Sequence, residues 1–520
     1  MPMAQLLVDV SRLELQKVSV SNVKPSGRNQ HVEKYDVALL DLLIPDYCMP
    51  VLFLFKPHPG DQIGLSGSEF VRRLKESLSK LLVPYYPYAG RFCKTYDHRI
   101  RELLCNDEGV PFIEAEIDQE MDKVVSFDDF QPVPILSGFK FVNLDAGVFF
   151  HDKADLFLPA LFIQATKFRC GGVSVNMTFT HMLADGKAIF QFVKDWSQMT
   201  LEGHCTNLPI HDRSLSHPVS LLQSLIPSGN PRESHVETNH SQNGHAPLRP
   251  DDKSLGGGKR DRSDEGTDNG GAPASLMDHR AVRQDCADAK AAVDPALAVR
   301  FPILPAWARK TLHVKKASVM KLKQRAMANE ERGLVPTALD CIQSHIWRGL
   351  CSIPSSLDGK KGCVYGVAVE GRARMHTPAL PESYAANAFV IAYTQPLEHP
   401  SDDHLTDASK IHDIVRSVNP ESWPGQLGRT VGILLNGAAI QQRAFFSSSW
   451  YRFPMYEVDF GYGKPVLVTG SAACSSPLTG YAFILPPRPG SDFLASVQMV
   501  LPPELLQALL DNSEFRSFFH

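Results

Sequence analysis

His181 and Asp185 stand four residues apart in T-H-M-L-A-D-G, and residues of these types can do acid–base chemistry. An imidazole titrates near neutral pH, so it can take a proton from a nucleophile and return it to a leaving group. As a bare pattern the spacing is weak. With nineteen histidines in the chain, about one H-x-x-x-D is expected by chance, and His151-Asp-Lys-Ala-Asp155 is a second match. Context separates the two. Ahead of His181, Val173, Val175, Met177 and Phe179 alternate with Ser174, Asn176, Thr178 and Thr180, which predicts a strand buried on one face. Asp185-Gly186 then supplies turn chemistry, the glycine being able to accept φ > 0. Ile189, Phe190, Val193 and Trp196 recur at helical spacing beyond it. A histidine at the lip of a strand, before a tight turn, is held rigidly while its ring can face a cleft. His151 lies in a polar stretch with no strand before it and no glycine behind. His181 is therefore the candidate general base, with a hydrogen-bonded core histidine as the plain alternative.

The elements around this segment interleave strands and helices without a strict strand–helix–strand repeat. L-E-L-Q-K-V-S-V reads as a strand, and Leu39 to Phe55 as apolar strand ends and a pocket wall, interrupted by Pro45 and Pro50. Ser66 to Leu82 has helical spacing, with Ser66 as N-cap and Glu69 completing a capping box. Y-Y-P-Y-A-G-R-F and R-E-L-L-C-N-D-E-G-V-P-F-I-E-A-E-I read as strands, with turns at Ala89-Gly90 and Asp107 to Gly109. Beyond Phe301, Ser318 to Ala328 and Thr337 to Leu350 read as helices, the second capped by Thr337 after Pro336. The strand G-C-V-Y-G-V-A-V-E enters a basic turn at Arg372 and Arg374, and P-E-S-Y-A-A-N-A-F-V-I-A-Y turns into another strand. K-P-V-L-V-T-G, T-G-Y-A-F-I-L-P-P and F-L-A-S-V-Q-M-V close the pattern before a final helix. The fold class is α/β, as two domains of mixed sheets and helices facing each other across a cleft.

At 520 residues the chain exceeds one ordinary core and implies two domains of roughly 200 residues each. We expect a first domain over 1–215, a crossover linker over 216–300 and a second domain over 301–520. The linker, rich in Gly, Ser, Asp, Asn, His and Arg, has almost nothing to bury and reads as disordered. Its G-G-G-K-R lacks the strand, spacing and helix of a phosphate loop. Its histidines at 235, 240 and 245 read as a polar tract rather than a metal site.

Hydrophobic residues at 43% and charged residues at 21% fit an ordinary globular protein, and a formal charge of −4 gives no sign of a nucleic-acid partner. Ten scattered cysteines without a C-x-x-C pair indicate neither zinc nor a disulfide framework, and no metal is expected. No stretch approaches the length of a membrane span, and the first sixteen residues do not read as a signal peptide. A cytoplasmic monomer is expected.

Residues 449–465 read S-W-Y-R-F-P-M-Y-E-V-D-F-G-Y-G-K-P. H-x-x-x-D-G followed some 270 residues later by D-F-G-[WY]-G-K-P resembles the BAHD acyltransferases, plant enzymes that move an acyl group from coenzyme A to an alcohol or amine. Residues 41–55, 85–92, 105–115, 345–349 and 369–387 fall in that family's order. The resemblance implies the two-domain coenzyme A-dependent acyltransferase fold, with the active site in a channel between the domains. It also implies an acyl-CoA co-substrate with no bound cofactor, and a small alcohol acceptor. His181 would act as general base without an acyl-enzyme, and no G-x-S-x-G elbow offers a rival nucleophile. By the same resemblance Trp450, in S-S-S-W, borders the reacting centre as an oxyanion or acyl-positioning group. Ser448 belongs to the same stretch and is a candidate substrate contact. Asp185 is a turn-fixing residue paired with Arg372 or Arg374 rather than the third member of a triad. Gly186, Asp459, Gly461 and Gly463 support the site structurally, and Tyr462 stands where the family commonly has Trp.

Shikimate-type members hold a polyol with Thr and Tyr where this chain has Cys48 and Leu52, and with an arginine where this chain has a residue near Leu435. The replacements imply a less polar acceptor, such as a long-chain alcohol or an ω-hydroxy fatty acid of the cuticle. The donor is expected to be a hydroxycinnamoyl-, acetyl- or fatty acyl-CoA. The alternative from another class is a non-catalytic BAHD-like partner of a fatty-acid elongation complex.

Overall fold

The computed structural model describes residues 13–27, 34–42, 48–57, 65–94, 100–130, 133–137, 158–215, 307–328, 335–376, 379–436, 442–470 and 478–520. The expected linker over 216–300 and the His151 match lie outside the described residues. In chain order the first half supplies β1 (Gln16–Val23), β2 (Lys34–Asp36), α1 (Leu39–Leu42), β3 (Cys48–Phe55), α2 (Gly67–Leu81), β4 (Arg91–Lys94) and β5 (Ile100–Leu104). It continues with β6 (Val110–Ile117), α3 (Met121–Val124), β7 (Leu158–Pro159), β8 (Leu161–Phe168), β9 (Val173–Thr180) and α4 (Gly186–Glu202). The second half supplies β10 (Ala308–Val314), α5 (Lys316–Met327), α6 (Ala338–Cys351), β11 (Cys363–Glu370), β12 (Phe389–Tyr393), α7 (His404–Arg416) and α8 (Trp423–Asn436). It ends with β13 (Arg443–Ser449), β14 (Leu467–Gly470), β15 (Gly480–Leu485), β16 (Ala495–Leu501), α9 (Pro503–Asp511) and α10 (Ser513–Ser517).

Each half is centred on a six-stranded mixed sheet. The first runs β1-β6-β8-β9-β3-β14 and the second β10-β16-β15-β13-β11-β12, with a small third sheet of β2-β5-β4-β7. In the first sheet β6 and β8 run parallel; in the second β13 runs parallel to both β11 and β15. The architecture is the expected α/β pair of mixed sheets. One strand crosses over: β14, from the second half, pairs antiparallel with β3, Leu467 opposite Leu54 and Gly470 opposite Val51.

Local sequence explains the helix starts. Ser66 accepts the Glu69 N–H at 3.1 Å, while the Glu69 carboxylate is engaged by Arg72 and Arg73. Thr337 forms a complete capping box with Asp340 at the start of α6. The stretch expected as a strand at Tyr85 to Phe92 instead winds a 3₁₀ turn over Tyr86–Ala89 before β4. Pro87 removes a ladder donor there, and Tyr85, Tyr88 and Ala89 are fully buried. The turn at Asp107 to Gly109 forms, with φ of 52° and 90° at its two ends.

The strand before His181 departs from the expectation of one buried face. All eight residues of β9 are buried. Its apolar side packs on α2 and α4, where Phe70, Leu74, Phe179, Ile189 and Trp196 share one core. Its polar side is covered by the end of α3 and the residues after it, around Val124, Phe130 and Leu136. On that side Asn176 donates to the Ser137 carbonyl at 3.0 Å and to Thr178 at 2.8 Å.

Candidate active site

β9 ends at Thr180, and the Leu183 N–H returns to the Thr180 carbonyl at 2.8 Å, making a tight turn of His181 to Leu183. Asp185 is the N-cap of α4, with φ −81° and ψ 176°, and accepts the Ala188 N–H at 2.9 Å. Gly186 keeps negative-φ backbone, so positive φ is not what its place requires. Its use is space: a Cβ there would lie 3.0 Å from Phe453 and 3.6 Å from the Trp450 indole nitrogen.

Asp185 faces Arg372 across the two halves. The guanidinium donates to both carboxylate oxygens, at 3.0 and 3.1 Å, and also to the carbonyls of Tyr384 and Ala386. Arg372 is fully buried. Burial alone would raise the Asp185 carboxyl, but the Arg372 charge and the N–H groups of Ala188 and Ala388 outweigh it and hold the carboxyl below its usual value. Arg374, the other candidate, bonds to the Val415 carbonyl instead. The pairing fixes the turn.

A second network, absent from any short motif, meets the same turn. Asp41 of α1, fully buried, accepts Arg213 Nε at 2.8 Å and Asn387 Nδ2 at 2.7 Å. Asn387 also donates to the carbonyls of His181 and Met182, at 3.1 and 3.3 Å, and Arg213 to that of Leu183 at 2.9 Å. The sequence signal for these residues is faint: a charged residue inside the apolar run D-L-L, and an asparagine leading into a strand.

His181 lines a cavity of about 950 Å³ between the two halves. It keeps only 9% of its surface, with the Phe389 ring 6.2 Å away. Burial pushes its pKa below the ordinary histidine value; a hydrogen bond to its own backbone, the charges of Asp185 and Asp41, and Asn387 oppose this in part. One wall of the cavity is a single face of the second sheet. Phe389 and Ile391 of β12, Phe446 and Ser448 of β13, and Tyr481 and Phe483 of β15 recur two apart and so point the same way. The opposite wall carries Cys48, Met49 and Pro50 from β3. Lys187, Lys194, Arg374, Arg416 and Arg452 also line it.

Trp450, Cys48, Ser448, Asp185 and Gly186 therefore stand at this cavity with His181. Trp450 is 2% exposed and packs its ring 5.3 Å from Phe190 and 4.7 Å from Phe483. Leu52 is a correction. It pairs with Asn176, four residues back along β9 from Thr180, and lies roughly 13 Å from that end of the strand, inside a separate apolar cluster. The side chain of Leu435 lies outside the described residues. Asp459, Gly461 and Gly463 are not among the lining residues. They make a brace: Asp459 accepts the N–H groups of Gly461 and Gly463, which sit at φ of 84° and 89°. Phe460 and Tyr462 then pack on Phe55 and Phe70 of the first half. Among the described residues no His, Cys, Asp and Glu group is arranged to hold a metal, and no described helix is long and apolar enough to cross a membrane.

A family model described as the Transferase family matches residues 13–246 and 298–516. The chain belongs to this family, the BAHD acyltransferases. Among curated BAHD-type relatives, the chain is 27% identical to the shikimate O-hydroxycinnamoyltransferase of Nicotiana tabacum, covering 93% of this chain and 95% of that one. It is 25% identical to the hydroxycinnamoyl-CoA:piscidic acid hydroxycinnamoyltransferase of Actaea racemosa, over 96% and 97%. In fold it is similar to the crystal structure of vinorine synthase, with a TM-score of 0.66 at 19% identity over 98% of each chain. It is likewise similar to TRI101 of F. sporotrichioides complexed with coenzyme A and T-2, with a TM-score of 0.57 at 14% identity over 94% and 99%. This BAHD chain is an acyltransferase with a coenzyme A thioester as co-substrate.

Proposed function

We propose that the protein transfers a hydroxycinnamoyl or fatty acyl group from coenzyme A to an apolar alcohol, with His181 as general base. The observation that carries this reading is the placement of His181 in one cavity with Trp450 and an apolar sheet face. A thioester is already activated, so an oriented alcohol and a base suffice. His181 takes the hydroxyl proton as the oxygen attacks the thioester carbonyl. The tetrahedral oxyanion collapses, the carbon–sulfur bond breaks, and the imidazolium returns its proton to the departing thiolate. No bond to the enzyme forms. Trp450 borders the reacting carbon and orients the acyl group.

One wall of the cavity supports an apolar acceptor. The faces of β12, β11, β13 and β15 lie side by side over roughly 14 Å: Ile391 stands opposite Ala368, and two residues along, Phe446 lies between Gly366 and Tyr481. A compact polyol would leave its hydroxyls unpaired on such a surface, whereas an aliphatic chain would bury apolar area. A long-chain alcohol or ω-hydroxy fatty acid, of the kind found in cuticle, fits best.

The test is thiol release from hydroxycinnamoyl-, acetyl- and fatty acyl-CoA. Each is offered with shikimate, a polyamine, a long-chain alcohol or an ω-hydroxy fatty acid, beside His181→Ala. Release that requires the long-chain acceptor and falls at least 100-fold in the variant is expected. Preference for shikimate would overturn the acceptor class. Turnover equal in the variant would overturn His181 as base, and no turnover with any pair would favour a non-catalytic partner.

A further inference from the structure

The turn carrying His181 is gripped from two sides, and the pair made by Asp185 and Arg372 accounts for only one. On the other side three segments far apart in the chain converge: α1 with Asp41, the residues after α4 with Arg213, and the approach to β12 with Asn387. All three side chains are buried. We propose that Asp41 is a positioning residue for His181, acting through Asn387 and Arg213 on the backbone carbonyls of residues 181–183. The assignment rests on His181 being the base.

The chemistry of the amide makes Asp41 decisive. Asparagine has two donor hydrogens on one end and an acceptor oxygen on the other, nearly equal in shape. Turned one way, Asn387 donates to the His181 and Met182 carbonyls; turned the other, it sets oxygen against oxygen. Asp41 accepts only, and its oxygen lies 2.7 Å from the Asn387 nitrogen, so it selects the donating orientation. The same carboxylate accepts Arg213 Nε at 2.8 Å, which leaves a terminal guanidinium nitrogen aimed at the Leu183 carbonyl. The Ala38 N–H, at 2.9 Å, holds the carboxylate itself.

The two grips share one strap. Tyr384 and Ala386 give carbonyls to Arg372, Ala388 gives its N–H to Asp185, and Asn387 between them reaches the His181 turn. A tilt of the Asn387 side would thus be transmitted to the Asp185 side. The charges gathered around this turn are Asp185 and Arg372 on one side and Asp41 and Arg213 on the other. Lys187 and Glu370 lie on the cavity side. Asp41 adds a negative charge that favours the protonated imidazole.

Asp41→Asn and Asn387→Ser are compared with wild type and His181→Ala in thiol release, with Tm recorded for each. His181 is also titrated by NMR in substrate-free protein carrying labelled histidine, its signal identified by its loss in His181→Ala. We expect kcat to fall about tenfold in both positioning variants, with KM for donor and acceptor within twofold. In Asp41→Asn the His181 titration and the acid limb of kcat/KM move to lower pH. Asn387→Ser keeps the Asp41–Arg213 pair intact and reads the positioning effect if Asp41→Asn folds poorly. Wild-type kcat in Asn387→Ser, or an unmoved His181 titration in folded Asp41→Asn, overturns the proposal. If His181→Ala turns over like wild type, the general-base reading fails instead, and Asp41 is then only a structural residue.

Discussion

Arg372 and Asp185 form a two-pronged ion pair across the halves of the molecule, with 0% and 5% of their side chains exposed. Both oxygens of Asp185 are spent on Arg372, Ala188 and Ala388. The carboxylate is therefore committed to the turn and to the start of α4. Asp185→Asn leaves the buried guanidinium with only the part-exposed Glu370 carboxylate, at 2.9 Å, as counter-charge, and breaking a buried pair of this kind costs up to about 3–5 kcal/mol. Denaturant unfolding should show that loss, with acyl transfer falling alongside. Wild-type stability in the variant would show that the tie between halves is elsewhere.

Burial sets the pH behaviour of the base. As the proposed general base His181 would work when neutral, and its pKa in the fold is lowered. The acid limb of kcat/KM should therefore lie below the ordinary imidazole value of about 6.5. The stability sign is the same. As pH falls below that value, the unfolded chain takes up a proton that the folded His181 refuses, so folding weakens. A limb above pH 7 in a pH–rate profile would contradict the buried-base reading.

Tyr462 offers a test of the brace. Its hydroxyl donates to the Gly171 carbonyl at 2.6 Å, and its ring stacks on Phe70 at 4.5 Å. Tyr462→Phe keeps the stack and removes one hydrogen bond, so it should cost about 1 kcal/mol of stability. Because Tyr462 does not line the cavity, kcat should stay within twofold in steady-state assays.

The strand, turn and helix around His181 were readable because each obeys a local rule: alternation, an N-cap aspartate, helical spacing. Ser66 and Thr337 cap their helices for the same reason. What escaped depended on contacts between distant segments. Ser174 and Asn176 look solvent-facing in the sequence, yet both are fully buried, beneath the segment that carries Val124, Phe130 and Leu136. Leu52 shares its strand and face with Cys48, but four residues of rise carry it away from His181. Arg372 and Arg374 cannot be told apart by spacing; only the fold turns one toward Asp185. Asp41, Arg213 and Asn387 carry no motif at all, since their meaning lies in converging on one turn.

The crossing of β14 into the first sheet has a consequence for biogenesis. Until residues 467–470 have left the ribosome, β3 is an open edge, offering the unpaired backbone of Val51 to Leu54 amid wholly apolar side chains. An edge of that kind recruits other strands. A nascent chain holding only the first half is thus incomplete as a folding unit and prone to clump. The last quarter of the polypeptide acts as an intramolecular chaperone for the sheet that presents His181.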